Sequence, residues 1–124
     1  NLFVAGFIGT PAMNVLPLGT AGMQMGYRPE KVVMSKVGTG QLYQAAGTIV
    51  TREMLGSETL YKVGLKDGKS VMVKSSDESF RSGEDVVLSV AQEDIYFFDR
   101  AGKRVRAGEG TEYEAYLAAV RRGA

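Results

Sequence analysis

The sequence contains no cysteine, histidine or tryptophan, and only three prolines among its 124 residues. The absence of cysteine excludes disulfides, thiolate catalysis and cysteine metal sites. The absence of histidine removes the commonest general base and the commonest ligand of transition metals. No apolar run approaches the roughly 20 residues that a helix needs to span a bilayer. These absences argue against a thiol enzyme and against a transition-metal enzyme.

Charge is nearly balanced, with 15 basic and 14 acidic side chains and a formal net charge of +1. Such a balance does not call for nucleic acid or an anionic membrane as partner. The length is that of one domain with a buried core. Because the chain begins at Asn1 rather than methionine, we expect it to be a fragment of a longer protein.

Short apolar segments separated by turn residues occupy most of the chain and predict a mainly-β fold. Asp67-Gly68 lies between two alternating runs and predicts a two-residue hairpin turn. Pro17 places its strand at a sheet edge or a strand end. Many short strands with regular turns indicate a small β-barrel rather than β–α–β units. Strands are predicted at 13–18, 23–27, 32–34, 47–55, 59–66, 69–74, 84–90, 95–98 and 103–105.

Short helices are predicted at both termini. Asn1 is a good N-cap for the apolar run that follows it, and Pro11 ends any helix soon after. Residues 1–12 are therefore interpreted as a helix, which either links this domain to a missing one or covers the core of this domain. At the other end, Thr111 and Glu114 form a capping-box pattern at the start of a helix over 111–124. Its apolar face, which packs on the domain or on a partner, comprises Tyr113, Tyr116, Leu117 and Val120.

Two patterns in the sequence could indicate catalysis, but neither has the features that catalysis requires. Asp67-Gly68-Lys69-Ser70 resembles the end of a phosphate-binding loop, but Val63 stands where that motif needs glycine. A hairpin would also use the backbone N–H groups that should hold the phosphate. The adjacent Glu84 and Asp85 point to opposite faces of a strand, so they do not form an acid–base pair. Neither pattern therefore predicts an active site, and only carboxylates that lie far apart in the sequence could still form an acid–base pair.

The segment Gly26 to Glu30 forms a stiff corner between two predicted strands. Pro29 fixes its own φ and restricts Arg28 to extended geometry, while Gly26 allows a sharp turn. Arg28 and Glu30 are thus presented on a rigid corner. They could form a solvated local ion pair worth about 0–1 kcal/mol, or they could contact a partner.

Four segments together resemble a known family. Residues 1–14 resemble the junction between the nucleotide-binding and C-terminal domains in ATP-binding subunits of ABC importers for sugars and glycerol-3-phosphate. Residues 26–30, 53–59 and 98–104 resemble the G-x-R-P-E, E-x-L-G-x-E-T and F-D-x-x-G-x-R motifs of that C-terminal domain. The four segments occur in the family's order and span nearly the whole chain.

The resemblance implies an OB-fold-like β-barrel of the TOBE/MOP type over residues 13–110. In that family the domain contributes to dimerisation of the ATPase subunits and receives regulatory signals. ATP and Mg²⁺ are then expected only on the nucleotide-binding domain, which this chain lacks. The implied partners are a second copy, the parent ATPase domain, the transporter's membrane subunits and a regulatory protein, without nucleic acid. The implied location is cytoplasmic, peripheral to the inner face of the membrane.

The motif positions nominate Arg28, Glu30, Glu53 and Glu58 as interface or regulatory residues. The segment between Pro17 and Gly26 is shorter than in the family. Either part of the barrel is deleted or a segment is missing from the chain, and a deletion predicts a shortened barrel with an unpaired sheet edge. Proteins tend to cover such edges, and pairing with a second copy would do so.

A different class of function is a module that binds a small oxyanion or a sugar phosphate. Ser57, Thr59 and Lys74 would then converge on one pocket together with backbone N–H groups. A third alternative is an oligonucleotide-binding OB-fold. The charge balance disfavours it, and the basic residues are not interleaved with aromatic ones.

Overall fold

The computed structural model describes residues 12–19, 21–108 and 112–122. Residues 1–11 of the predicted linker helix and the capping residue Thr111 lie outside these ranges. Within them the chain is mainly β, as predicted. The strands are β1 (Asn14–Leu18), β2 (Met23–Tyr27), β3 (Val33–Ser35), β4 (Tyr43–Leu55), β5 (Glu58–Leu65), β6 (Ser70–Ser75), β7 (Asp85–Val90), β8 (Tyr96–Phe98) and β9 (Arg104–Val105). Helix α1 spans Glu112–Arg121, and 3-10 turns span Pro29–Lys31 and Gln92–Asp94.

The strands form two antiparallel sheets with the orders β1-β2-β8-β9 and β3-β7-β4-β5-β6. Alternation decides which side of each strand faces the core: in β5, Tyr61 and Val63 are fully buried, while Lys62 between them is exposed. Pro17 lies in β1, an edge strand, as its missing N–H requires.

The core lies between the sheets and is closed at one end by α1. On the helix, Tyr116, Leu117 and Val120 are buried, and the Tyr116 ring centroid lies 5.3 Å from that of Phe97 in β8. Burying each such side chain stabilises the fold by about 1.5–3 kcal/mol. The predicted C-terminal helix therefore packs on its own domain through the predicted face.

The predicted two-residue turn at Asp67-Gly68 is wrong. Gly68 N–H donates to the Leu65 carbonyl at 3.1 Å, and Leu65 N–H donates to the Lys69 carbonyl at 2.7 Å. Residues 66–68 therefore form a three-residue loop, in which Gly68 takes φ +90°. This is the hairpin whose third residue is a left-handed glycine. Asp67 accepts a bond from Lys69 N–H at 2.9 Å instead.

The two-residue turn occurs one hairpin earlier, between β4 and β5. Leu55 pairs with Glu58, so only Gly56 and Ser57 lie between the strands. Gly56 has φ +76°, whereas no described non-glycine residue has a positive φ. Positive φ at the first central position alone defines a type II′ turn, which requires glycine there.

The two sheets are joined where β1 approaches β6. The Asn14 side chain donates from Nδ2 to the Met72 carbonyl at 2.8 Å, and its Oδ1 accepts from Met72 N–H, also at 2.8 Å. The side-chain amide thus makes the two bonds that a neighbouring strand would have made. The outer edge of β6 is covered in part by this contact, within one chain.

Candidate functional site

The hairpin of β4 and β5 carries most of the residues that the sequence nominated. β4 runs for 13 residues, and its register with β5 shifts between Ile49 and Thr51. Val50 is the additional residue of this β-bulge, which moves the following side chains to the opposite face. Arg52, opposite Tyr61, therefore shares the inner face with Ile49. Without the bulge, Thr51 would have taken that place.

Arg52 uses this position to hold the crossing loop, residues 76–83. Its Nη1 donates to the carbonyls of Glu78 at 2.9 Å and Phe80 at 2.6 Å. The Tyr61 hydroxyl donates to the Asp77 carbonyl at 2.5 Å. The Phe80 ring packs edge-on against the Tyr61 ring, with 6.0 Å between the ring centroids. Bonds from a charged donor are stronger than neutral ones. The loop is therefore fixed to the inner face of the hairpin.

Hydrogen bonds within the crossing loop also fix its conformation. Asp77 Oδ1 accepts from the Ser79 hydroxyl at 2.6 Å and from Ser79 N–H at 2.9 Å. These two bonds, the hydroxyl first, lower the pKa of the Asp77 carboxyl. The two hydrogen bonds of this exposed carboxylate fix the turn from Asp77 to Ser79.

Of the residues nominated for a ligand pocket, Ser57 and Thr59 lie on the hairpin and Lys74 lies on β6. Thr59 is buried, at 1% exposure, and its hydroxyl donates to Met54 Sδ at 3.3 Å. Lys74 Nζ lies 3.4 Å from Glu58 Oε1, and Ser57 is exposed in the turn. The structure thus brings Lys74 to Glu58, and it leaves Ser57, the residue before Glu58, exposed in the turn.

The hairpin tip, residues 51–60, presents apolar and acidic side chains together. Met54 and Leu55 are 48% and 45% exposed. Glu53 is exposed beside them, and Glu58 is half-buried across the turn. An exposed apolar group rimmed by charges is typical of a contact surface. Two of the four nominated interface residues therefore flank a surface with that character.

The other two nominated residues lie on the corner after β2. Pro29 is buried and begins a 3-10 turn, in which Lys31 N–H donates to the Arg28 carbonyl at 3.0 Å. Arg28 is half-buried and Glu30 is exposed. No ion pair joins the two among the described residues. The turn packs against β6, so the corner holds the sheets together and leaves both charged groups free of each other.

An outer cleft of about 320 Å³ crosses β7, β4 and β5. On its wall the Thr48 hydroxyl donates to Asp85 Oδ1 at 2.8 Å, and Lys36 Nζ donates to the Asp85 carbonyl at 3.1 Å. Lys36 also pairs with Glu84. Lys36 first, and then a bond from Arg81 N–H, lower the pKa of Glu84. The charges around this cleft are therefore largely satisfied by one another.

A second cleft, called here the β4 cleft, has about 270 Å³. It lies between the first residues of β4, the turn at Lys66 and Asp67, and Val120 of α1. Tyr43 forms part of its wall. Burial is the largest cause that raises the pKa of the Tyr43 hydroxyl.

Neither cleft has the composition of a metal site. No group of three or more acidic, histidine or cysteine side chains suited to a metal ion occurs within residues 12–19, 21–108 and 112–122. In the same ranges, no helix has the length and apolar character required to cross a membrane.

A curled antiparallel barrel closed at one end by a helix is the architecture of an OB-like domain. A solved structure of the cytoplasmic molybdate-binding protein ModG, with molybdate bound, matches this fold with a TM-score of 0.55 at 12% identity, covering 60% of each chain. The family model of the TOBE domain matches residues 25–98, which is more than half of the chain. The chain therefore belongs to the TOBE domain family, which confirms both the predicted fold and the resemblance of its motifs.

Curated relatives place the domain in longer proteins. The sn-glycerol-3-phosphate import ATP-binding protein UgpC 3 of Agrobacterium fabrum is 28% identical over 125 residues, which cover 83% of this chain and 35% of that protein. The UgpC protein of Shigella boydii is 30% identical over 132 residues, covering 85% of this chain and 36% of that protein. The chain thus spans about a third of the length of the curated relatives it matches.

Sequence reasoning missed Asn14, Arg52 and Tyr61, the side chains that tie separate parts of the fold together. Asn14 lies in a segment already singled out for its motif, yet its partner Met72 is 58 residues away. A polar residue at an inward position between apolar neighbours was the available signal. The sequence carries no such signal for Arg52, because its inward direction depends on the bulge.

Proposed function

We propose that this chain is the C-terminal regulatory and dimerisation domain of the ATPase subunit of an ABC importer for sugars or glycerol-3-phosphate. The observation that carries the proposal is the unequal coverage of the alignments. More than four-fifths of this chain aligns with about a third of each import ATP-binding protein. That pattern is expected of one domain taken from such a subunit.

In this proposal the chain is not an enzyme. ATP and Mg²⁺ bind to the separate nucleotide-binding domain, and the subunit lies on the cytoplasmic face of the membrane beside the transporter's membrane subunits. The work of this domain is mechanical: it holds two ATPase subunits together while their catalytic halves open and close. A regulatory protein can act through it.

The hairpin tip is the surface that we assign to dimerisation. Its apolar residues Met54 and Leu55 are half exposed, and Glu53 and Glu58 supply a polar rim. Arg52 and Tyr61 fix the crossing loop behind the tip. A surface held in one conformation loses less entropy when it binds, so this tip suits a lasting contact between copies.

A chimera tests the assignment to an importer. This chain would replace the aligned segment of the Shigella boydii relative, in cells that lack their own copy. We expect uptake of radiolabelled glycerol-3-phosphate well above that of a truncated subunit without the segment. An expressed, folded chimera no better than the truncated subunit would contradict the proposal.

Sedimentation of the chain across concentration tests dimerisation separately. We expect a dimer at high concentration, and Leu55→Ser should weaken it about tenfold, or ~1.4 kcal/mol. Val37→Ser is the control, because Val37 is likewise an exposed branched aliphatic side chain, at 72% exposure, but lies outside the tip. A strict monomer, or equal weakening by both variants, would remove the tip from the interface.

Binding of a small oxyanion or sugar phosphate is a second candidate, favoured by the molybdate-binding ModG protein that shares the fold. Ser57, Thr59 and Lys74 would supply the site. An anion would have to displace Glu58 from Lys74, because the two are paired. Titration calorimetry with molybdate, sulfate and sugar phosphates decides the question. Heat that Lys74→Ala abolishes would support this candidate, and no heat would reject it.

A further inference from the structure

The outer face of the β4–β5 hairpin holds two opposite charges at fixed places. Lys62 and Leu60 lie on this face, because the residues on either side of each are buried. Across the register, Glu53 stands opposite Leu60, and Thr51 stands opposite Lys62. Glu53 and Lys62 therefore occupy one diagonal of a small rectangle on the outer face, and Leu60 and Thr51 occupy the other diagonal.

These two charges are not paired within the part of the chain that the structure describes. Glu53 and Lys62 are exposed, and neither takes part in an ion pair within residues 12–19, 21–108 and 112–122. All 15 basic side chains lie within those ranges, so the rest of the chain holds no basic side chain for Glu53. A basic partner of Glu53 can therefore come only from another molecule.

Exposed apolar side chains continue the same face on both sides of the charges. Leu55 lies two residues beyond Glu53 on β4 and is 45% exposed. Val50, the additional residue of the bulge, is 50% exposed. It also lies on this face, because a Cβ added to Gly64, two residues beyond Lys62, would lie 3.4 Å from Val50 Cγ2. Exposed apolar groups interspersed with unpaired charges are typical of a contact surface between proteins.

A two-fold axis makes this face complementary to itself. In a symmetric dimer, when residue i of one copy contacts residue j of the other, j also contacts i. An axis in the plane of the contact, along the diagonal from Leu60 to Thr51, brings Glu53 of each copy opposite Lys62 of the other. Leu60 lies on that axis, so it packs against the Leu60 of the second copy. Each dimer then holds reciprocal opposite-charge pairs on either side of a central apolar contact.

We infer that two copies of this chain pack through this outer face, with Glu53 of each copy paired to Lys62 of the other and the Leu60 side chains between the pairs. The inference rests on the proposed dimerisation, and it states which side chains select a second copy as the partner. The reciprocal charges also fix the orientation of the copies, because an arrangement that set Glu53 opposite Glu53 would bring like charges together.

Charge reversals at the two positions test the pairing by mixing. Glu53→Lys or Lys62→Glu alone sets like charges opposite each other on both sides of a homodimer, so each variant should dimerise about tenfold more weakly than the unmodified chain. An equimolar mixture of the two variants restores opposite charges on both sides. It should form heterodimers about as tightly as the unmodified chain dimerises, as measured by sedimentation with one variant carrying a fluorescent label.

The matched control is a mixture of Glu93→Lys and Lys103→Glu, which makes the same charge changes at exposed positions outside the hairpin. These variants should dimerise like the unmodified chain and should show far less preference for each other. Added salt should reduce the heterodimer preference of the first mixture, because salt screens exposed charges.

Carbodiimide cross-linking tests the inference on the unmodified chain. The reagent joins the Glu53 carboxylate to the Lys62 amine as an amide, with loss of water to the carbodiimide, when the two groups are in contact. In a mixture of ordinary and isotope-labelled chains, mass spectrometry should find this link between differently labelled copies. Cross-links within one copy only, or heterodimers favoured no more than in the control mixture, would overturn the inference and leave dimerisation itself standing. A chain that stays monomeric would overturn the proposed dimerisation as well.

Discussion

Among the strand edges that lack a neighbouring strand, the one at β6 and the one at the start of β4 differ in how their backbone groups are bonded. At Met72, on the outer edge of β6, the side chain of Asn14 takes both backbone groups. At Gln44, on the open side of β4, no described strand meets the backbone. Backbone groups that are buried must be paired, whereas groups in a wet cleft can bond to water. The edge at Met72, called here the closed edge, therefore stabilises the fold. The edge at Gln44, called here the open edge, keeps backbone groups that no described strand uses.

Breaking the closed edge should have the largest effect. Asn14→Ala removes two hydrogen bonds and leaves the Met72 N–H and carbonyl without partners in a partly buried position, so we expect the free energy of unfolding to fall by about 2–3 kcal/mol. Urea denaturation measures it. Gln44→Ala, which removes an exposed amide at the open edge, is the control and should cost less than about 1 kcal/mol. Equal losses of unfolding free energy in the two variants would show that the two edges do not differ in their contribution to stability.

Arg52 also satisfies backbone groups with its side chain, and its substitution should have an intermediate effect on stability. Arg52→Met keeps the length of the side chain but deprives the Glu78 and Phe80 carbonyls of their donor. We expect a loss of about 1–2 kcal/mol and faster proteolysis within residues 76–83. Limited proteolysis with mapped cleavage sites measures this. Lys62→Met, at an exposed position of the same hairpin, should leave the cleavage rate unchanged. Cleavage elsewhere first would mean that Arg52 does not hold the loop.

Substitution of Ser89, which lies beside the open edge, should change the free energy of unfolding by a smaller amount. It pairs with Gln44 across β4 and β7, and its hydroxyl is buried without a hydrogen-bond partner among the described residues. Removing an unpaired buried hydroxyl removes its desolvation cost. Ser89→Ala should therefore raise the free energy of unfolding, by up to about 1 kcal/mol, in the same urea experiment. A loss above 1 kcal/mol would show that the hydroxyl has a bonding role.

The smallest effect concerns pH. Lys36 lowers the pKa of Glu84 in the folded chain from its ordinary 4.5. A lowered carboxyl pKa stabilises the fold above the unfolded-state pKa, and this contribution is lost as the pH falls through the folded-state value. Glu84→Gln should thus make stability less dependent on pH below 4.5, as measured by thermal melts from neutral to acidic pH. Glu93→Gln is the control. Identical acid slopes in both variants would contradict the assignment.

Much of the fold could be predicted from local sequence. Alternation and turn residues located β1 and β2 and the return strand β6, and Pro17 correctly marked an edge. The face of α1 was predicted because helical spacing places Tyr116, Leu117 and Val120 together. These features depend on residues close together in the chain, so their physics is visible in the sequence.

The features that could not be predicted depend on residues far apart. The bulge at Val50 follows from pairing with β5, and it alone sends Arg52 inward. The partner of Asn14 is 58 residues away. The loop at Asp67 was misjudged because Asp-Gly suits both two- and three-residue hairpins, and the register of β5 with β6 decides between them. The open edge at Gln44 likewise appears only once the point where β5 turns away is known.

The comparison of the two edges is tested most directly by amide hydrogen exchange of the free chain in one experiment. The Met72 amide should exchange slowly, at a rate near that of the Tyr43 and Ala45 amides, because Asn14 accepts its hydrogen bond. The Gln44 amide should exchange much faster than its two neighbours, because no described strand accepts from it. A Gln44 amide as protected as Met72, or a Met72 amide as labile as Gln44, would contradict the account.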